Sequence, residues 1–397
     1  MGKKKFRIKT NDILSFVVMF LFIIMSGTAI GLEYSAILDP LFLGVATLIC
    51  IIRKGIKKNS IEQIRVAIIL LLFYLMNVVI YMGDGVNIRG YLSYMIRITA
   101  CLMFCMSMSI NQFEKWFLII VDIIAVYSLI FFVLGQVTKI ALYTKTVGNY
   151  PVLFLYNFNG YLLHRNSGIF WEPGAYQFFI NLALVFNFKK NDYNIRKCIN
   201  WSSLVLGISL LTTRSTTGYF ALLLLLLYLL YKNWSKLSVK CKIGLLIPML
   251  VLGAVIFYMV MTSSVVVDKF YGAGQSYSIR KNDFLSSIIA IKERPFLGYG
   301  IGTGRYQAMC NSLGLTANSV GFFVASIYFG VVYAIYYSYR IFRFGVVNNK
   351  GSFLLIVAII LLSMFSEDFY RYAIYFAFAI GFRKVKNDSK NSKKNSI

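Results

Sequence analysis

The chain is a succession of apolar runs, each about the length of a membrane span, and nothing else in it constrains the fold as strongly. In hydrocarbon a backbone must satisfy its polar groups within its own segment, so repeated runs of this kind fold as helices packed side by side. Apolar residues make up 58% of the sequence and charged residues only 14%, a balance outside that of soluble domains. Apolar windows lie near 13–30, 36–52, 66–82, 91–110, 117–135, 175–188, 199–213, 217–231, 243–261, 317–338, 352–366 and 371–382, and they give roughly twelve spans. The expected fold class is therefore all-α, a polytopic integral membrane protein with a single transmembrane domain over residues 1–382.

The formal net charge is +26. The Lys and Arg residues sit in short clusters between apolar runs rather than along one face, which is topogenic patterning and argues against a nucleic-acid partner. The cluster Lys3-Lys4-Lys5-Phe6-Arg7 precedes a first run too long for a signal-peptide core and without a clear A-x-A site, so this run reads as a retained helix. From an inside start, the segments Arg53 to Arg65, Lys189 to Lys197, Lys232 to Lys242, Arg340 to Lys350 and the tail from Arg383 all fall on the cytoplasmic side, with both termini. The tail 383–397 is polar, basic and of low complexity, and reads as a disordered segment near anionic lipid. The cysteines offer neither an external disulfide framework nor a C-x-x-C metal spacing.

This topology leaves two long outer connections, about 136–174 and 262–316, and long loops on a rigid scaffold are where function is expected. In the first, Asn159, Tyr161, His164 and Trp171 mix aromatic faces with amide and imidazole groups. Such a surface suits sugars, and equally an interfacial aromatic belt. Arg165 and Glu172 stand in the same loop, where charge near hydrocarbon is costly unless paired or wet. Pro173 and Gly174 put Glu172 at the start of a helix, so it reads as a cap, a partner of Arg165, or a general base.

Arg214 lies in a very short outer turn, Thr212-Thr213-Arg214-Ser215-Thr216, as a phosphate ligand or a snorkelling anchor. In the second connection an amphipathic helix over about 279–294, stopped by Pro295, carries Arg280 near its start. After it comes Gly298-Tyr299-Gly300-Ile301-Gly302-Thr303-Gly304-Arg305, whose glycines do not fit a dinucleotide fingerprint.

Together these segments resemble the O-antigen polymerase and ligase superfamily, the integral-membrane polymerases of lipid-linked sugar repeats. The resemblance runs from about Arg165 to Phe382. It is carried by R-x-x-G-x-x-x-E-P-G at Arg165, Gly168, Glu172, Pro173 and Gly174, by Leu211-Thr212-Thr213-Arg214-Ser215, and by Arg280 followed by Arg294-Pro295-Phe296-Leu297-Gly298-Tyr299-Gly300-Ile301-Gly302. The ligase branch typically has a histidine late in the second loop; Ala317-Asn318-Ser319 has none, which favours polymerase.

The resemblance implies joining of undecaprenyl-pyrophosphate-linked oligosaccharides at the outer face of the bacterial cell membrane, with no cofactor, nucleotide sugar or metal. Its implied partners are that lipid-linked oligosaccharide, membrane lipid and a chain-length regulator protein. Arg165, Arg214 and Arg280 would contact pyrophosphate, and Glu172 would act as base or sugar ligand. His164, Trp171, Tyr161, Asn159, Arg305 and Asn318 would line the substrate site. An O-antigen ligase is the nearest rival reading. A flippase of lipid-linked sugar is the next, although Arg97 and Asp122 are the clearest charges inside the apolar runs and a transporter is expected to use more.

Overall fold

The computed structural model describes residues 10–56, 60–84, 88–138, 140–158, 164–238, isolated positions between 242 and 258, 275–315, 321–348 and 353–383, with the backbone alone at some positions, including 275–281. Asn159, Tyr161, Asn318, most of the 243–261 window and the tail beyond Arg383 lie outside the described residues. The chain is mostly helical. Helices α1 (Thr10–Ile24), α2 (Ala29–Glu33), α3 (Ser35–Ile52), α4 (Ile61–Tyr81), α5 (Ile88–Ser107) and α6 (Ile110–Val137) precede the first long loop. After it come α7 (Pro173–Lys190), α8 (Ile195–Cys198), α9 (Trp201–Thr212) and α10 (Thr216–Asn233). Further helices with both ends described are α11 (Gln275–Glu293), α12 (Arg305–Ser312), α13 (Gly321–Phe329), α14 (Val331–Asn348), α15 (Phe353–Ser366) and α16 (Ala373–Ile380).

Among the described residues, five helical segments are long and apolar enough to cross a membrane: Ser35–Ile52, Ile61–Tyr81, Ile88–Ser107, Ile110–Val137 and Thr216–Lys236. Their ends are set by local chemistry. At α6, Ser109 accepts from the Gln112 amide and the Gln112 side chain accepts from the Ser109 amide, a reciprocal cap. Several other apolar windows hold shorter helices. The 317–338 window is divided at Gly330, whose φ of +86° suits glycine and breaks the chain between α13 and α14. Near the C-terminus α15 has 14 residues and α16 only 8. At 1.5 Å per residue these rise about 21 and about 12 Å, short of the ~30 Å hydrocarbon core. Residues 367–372 between them are not helical.

At the centre stands α7, buried continuously from Pro173 to Phe188. Its polar side chains are satisfied by its neighbours rather than by water. The Tyr176 hydroxyl shares hydrogen bonds of 2.7 Å with both Ser128 and Ser209, and Asn187 donates to Ser203 Oγ at 2.7 Å. This explains why a helix of modest apolarity can occupy the middle of the bundle.

The basic segments assigned to the cytoplasmic side gather at one end. Arg53 donates to Asn11 O at 2.8 Å, Arg340 Nε to Ala379 O at 3.0 Å, and Lys189 pairs with Glu114 at 2.6 Å. Gln63 reaches Gly381 O at 2.7 Å at that same end. Within the bundle, Arg97 and Asp39 form a forked ion pair at 2.8 and 2.9 Å, with side chains only 4% and 1% exposed. The third arm of Arg97 donates to Arg371 O at 2.9 Å, so the buried charge anchors the non-helical segment 367–372.

The all-α expectation needs one correction. The first long loop folds into a three-stranded antiparallel sheet, β1 (Lys145–Val147), β2 (Tyr150–Leu153) and β3 (Tyr156–Asn157). Its turn has Gly148 at φ +56°, and a side chain there would overlap the Glu33 carboxylate. The β-branched Thr146, Val147 and Val152 favour the extended form once a tight turn is available.

Candidate functional site

The end of the bundle opposite the basic segments holds the signature residues. Arg165 follows His164, which sits at φ +49°, and the loop docks against the turn after α9. Asn166 N–H donates to Thr212 O at 2.9 Å, its amide nitrogen donates to Thr212 Oγ1 at 2.9 Å, and Arg165 Nε donates to Thr213 O at 3.0 Å. The next residue in that turn is Arg214, exposed and at φ +48°. Two arginines 49 positions apart in sequence thus share one patch of backbone. Among the described residues the terminal nitrogens of Arg165, and the whole guanidinium of Arg214, make no hydrogen bond.

Glu172 is the N-cap residue of α7, yet its side chain makes no capping hydrogen bond. Its Oε1 accepts instead from Trp171 Nε1 at 2.6 Å. Arg165 and Glu172 form no direct ion pair, but they lie within electrostatic reach. Burial pulls the Arg165 guanidinium below its ordinary value; Glu172 and Glu367 draw it back up, and Arg214 pushes it further down. Tyr150, on β2, is raised by its own burial and then by Glu172, with Arg371 opposing. The sheet therefore borders the same charged recess.

The sequence reading missed Glu367, Asp368 and Arg371. All three are half-buried on the segment between α15 and α16, where Arg371 pairs with Asp368 at 3.4 Å. Two acids between the apolar runs at 352–366 and 371–382, and an arginine at the first position of the second run, were a visible signal, because unforced charge is rare at such positions. That Glu367 comes within electrostatic reach of Arg165 was not visible, since it depends on the break between two short helices.

The other expected residues are placed unevenly. Trp171 is half-buried, with its ring against Gly27, Phe369 at 5.1 Å and Tyr372 at 5.0 Å, so the indole is engaged within the protein. His164 is exposed, and its Nδ1 is 2.8 Å from Gln136 Oε1. Arg280 lies in α11 with its side chain outside the description. Arg305 begins α12, its guanidinium 5.5 Å from the ring centre of Tyr81.

The glycine-rich stretch before Arg305 is held by backbone contact with the broken helix. Tyr299 N–H donates to Ile327 O at 2.7 Å, and Val331 N–H donates to Pro295 O at 2.7 Å. From the N-terminal helices, Tyr81 donates to Gly298 O, Tyr91 donates to Asn77 Oδ1, and Ile301 N–H donates to the Tyr91 hydroxyl at 2.6 Å. Among the described residues no group of three or more His, Cys, Asp or Glu is arranged to hold a metal ion.

No curated protein matches this chain. Over residues 201–312, which take in Arg214, Arg280 and Arg305, the sequence matches the family described as O-antigen ligase, in keeping with the O-antigen polymerase and ligase superfamily.

Proposed function

We propose that this protein polymerises undecaprenyl-pyrophosphate-linked oligosaccharide units at the outer face of the bacterial cell membrane, making O-antigen or a related surface polysaccharide. The observation that carries this reading is the union of Arg165 with the Arg214 turn through the Nε bond to Thr213 O, beside Glu172. In the transfer, the bond between the sugar C1 and the pyrophosphate oxygen of the carrier-bound chain breaks, and its electron pair leaves on that oxygen. The terminal hydroxyl of the incoming unit forms the new bond to C1 and gives its proton to a carboxylate. A half-buried Arg165 beside an exposed Arg214 suits the departing pyrophosphate, because planar donors match phosphate oxygens two at a time and burial lessens the screening of Arg165 by water.

A ligase, which passes the finished chain to another acceptor, is the second reading, and the description of the matched family favours it. A flippase reading draws less support, since the buried Arg97 is fully engaged by Asp39 and a backbone carbonyl and offers no open charged path. The deciding experiment incubates purified protein with lipid-linked repeat units alone and runs the products on a carbohydrate gel. A ladder of polymer is expected; transfer only when a second, unrelated acceptor is added would overturn polymerisation in favour of ligation.

A further inference from the structure

The last strand of the sheet, β3, grips the loop that leads into α7. Its second residue, Asn157, is fully buried. The Asn157 N–H donates to Gly168 O at 2.8 Å, and its carbonyl accepts from Ser167 Oγ at 2.6 Å. Its side-chain amide donates to two successive carbonyls, Phe170 O at 2.7 Å and Trp171 O at 3.1 Å. Two neighbouring carbonyls in a buried loop need donors, and the side-chain NH2 group of an asparagine supplies both from one fixed plane.

Those carbonyls immediately precede Glu172. At φ −158° and ψ +163° Glu172 is extended, so its direction follows the chain entering α7 rather than the helix itself. The opposite edge of the loop is held by the turn between α1 and α2. There Ala29 N–H donates to Ile169 O at 3.1 Å and Trp171 N–H to Gly27 O at 3.4 Å, while Gly27, at φ +107°, leaves room for the Trp171 ring. Arg165 is attached elsewhere, to Thr213 of the turn after α9, beside Asn166 on Thr212. The two ends of the signature loop therefore hang from different anchors, the arginine from α9 and the glutamate from β3.

We infer that Asn157 is a positioning residue for the transfer, setting through the carbonyls of Phe170 and Trp171 the direction from which Glu172 meets the acceptor hydroxyl. This rests on the glycosyl-transfer reading above, in which a carboxylate takes the proton of that hydroxyl. A general base must lie within hydrogen-bond reach of its proton, and a small displacement removes that reach. Carrier binding at Arg165 and Arg214 uses the other anchor, so loss of the Asn157 amide falls on the chemical step.

The test follows carrier release from undecaprenyl-pyrophosphate-linked repeat units, isolated from cells lacking the gene, with and without a second acceptor. Wild type, Asn157→Ala, Glu172→Gln and the double variant are purified in detergent, with thermal melts to show that each is folded. Asn157→Ala is expected to lower kcat by about tenfold to a hundredfold with KM near wild type. In the Glu172→Gln background the same change should alter kcat by no more than about twofold, because the group it positions is already gone. Ser167→Ala removes a buried bond between the same strand and the start of the loop; it is expected to lower the melt and to act by one factor in both backgrounds. Asn157→Ser, which keeps one hydroxyl donor, takes the place of Asn157→Ala if that variant does not fold. Wild-type kcat in a folded Asn157 variant or in Glu172→Gln, or losses that simply multiply in the double variant, overturn the inference. Wild-type protein that releases carrier only with the second acceptor removes the polymerase reading alone, and the four proteins are then compared in that reaction. Release in neither condition overturns the glycosyl-transfer reading and the inference with it.

Discussion

Arg165 donates its Nε–H to the carbonyl oxygen of Thr213 at 3.0 Å, tying the loop before α7 to the turn between α9 and α10. The bond uses the one guanidinium nitrogen that points back along the side chain. The two terminal nitrogens make no hydrogen bond among the described residues, and Glu172, Glu367 and Arg214 act electrostatically on the group. One hydrogen bond thus ties the Arg165 side chain to the turn that carries Arg214.

Replacing Arg165 by Ala is expected to lower polymer formation by about a hundredfold, on the order of 3 kcal/mol, as loss of one preorganised donor does elsewhere. Arg165→Lys should be impaired as well, since lysine has no Nε–H for Thr213 and no planar fork. Arg214→Ala should behave like Arg165→Ala, with the double variant little worse than either, because both residues serve one anion. Rates of carrier release from purified variants check this, and normal chain-length distributions in both single variants would count against the shared role.

The Arg97–Asp39 pair is expected to serve stability first. Asp39→Asn or Arg97→Met leaves a buried charge without its partner and should cost about 3–5 kcal/mol. The Arg97 change also releases Arg371 O and so loosens segment 367–372. Thermal melts in detergent should fall for both variants, and a paired replacement by apolar residues should recover much of the loss in Asp39 variants.

Gly330 is expected to tolerate no side chain. Its φ of +86° is strained for any other residue, and a Cβ there would overlap the carbonyl of Phe296. Gly330→Ala should destabilise the protein by about 1–3 kcal/mol and push the 295–302 stretch away from α13. Protease accessibility of the loop leading to Arg305 should rise in that variant, and an unchanged cleavage pattern would argue against this coupling.

His164→Ala is expected to keep carrier release within about twofold of wild type. The imidazole is exposed and meets only the Gln136 side chain among the hydrogen bonds of the described residues. A loss of tenfold or more would support the place in the substrate site that the sequence suggests for it.

Much of this was legible in the order of residues. The long apolar windows became helices where they were uninterrupted, as at Ile61–Tyr81 and Ile110–Val137, because helical hydrogen bonding is local. The link of Arg165 to the Arg214 turn was half legible, since both belonged to the same predicted face. Glu172 looked like a helix cap, and it does stand at the N-cap position, yet its side chain binds the neighbouring indole instead. The sheet at 145–157 was hidden inside an apolar and aromatic loop that carries no long alternating pattern.

The sequence by itself determined the helical, membrane-type character of the chain, the clustering of basic segments and the identity of the two arginines in its signature motifs. Those properties follow from composition and short spacings, which act through local backbone chemistry and transfer from water. Only the tertiary structure decided that α15 and α16 stop short, that Glu367 sits between Gly174 and Gly321, and that the buried Arg97 holds the backbone beneath it. Those relationships join residues more than forty positions apart, and close approach of that kind is set by which faces pack together, a property no local pattern contains.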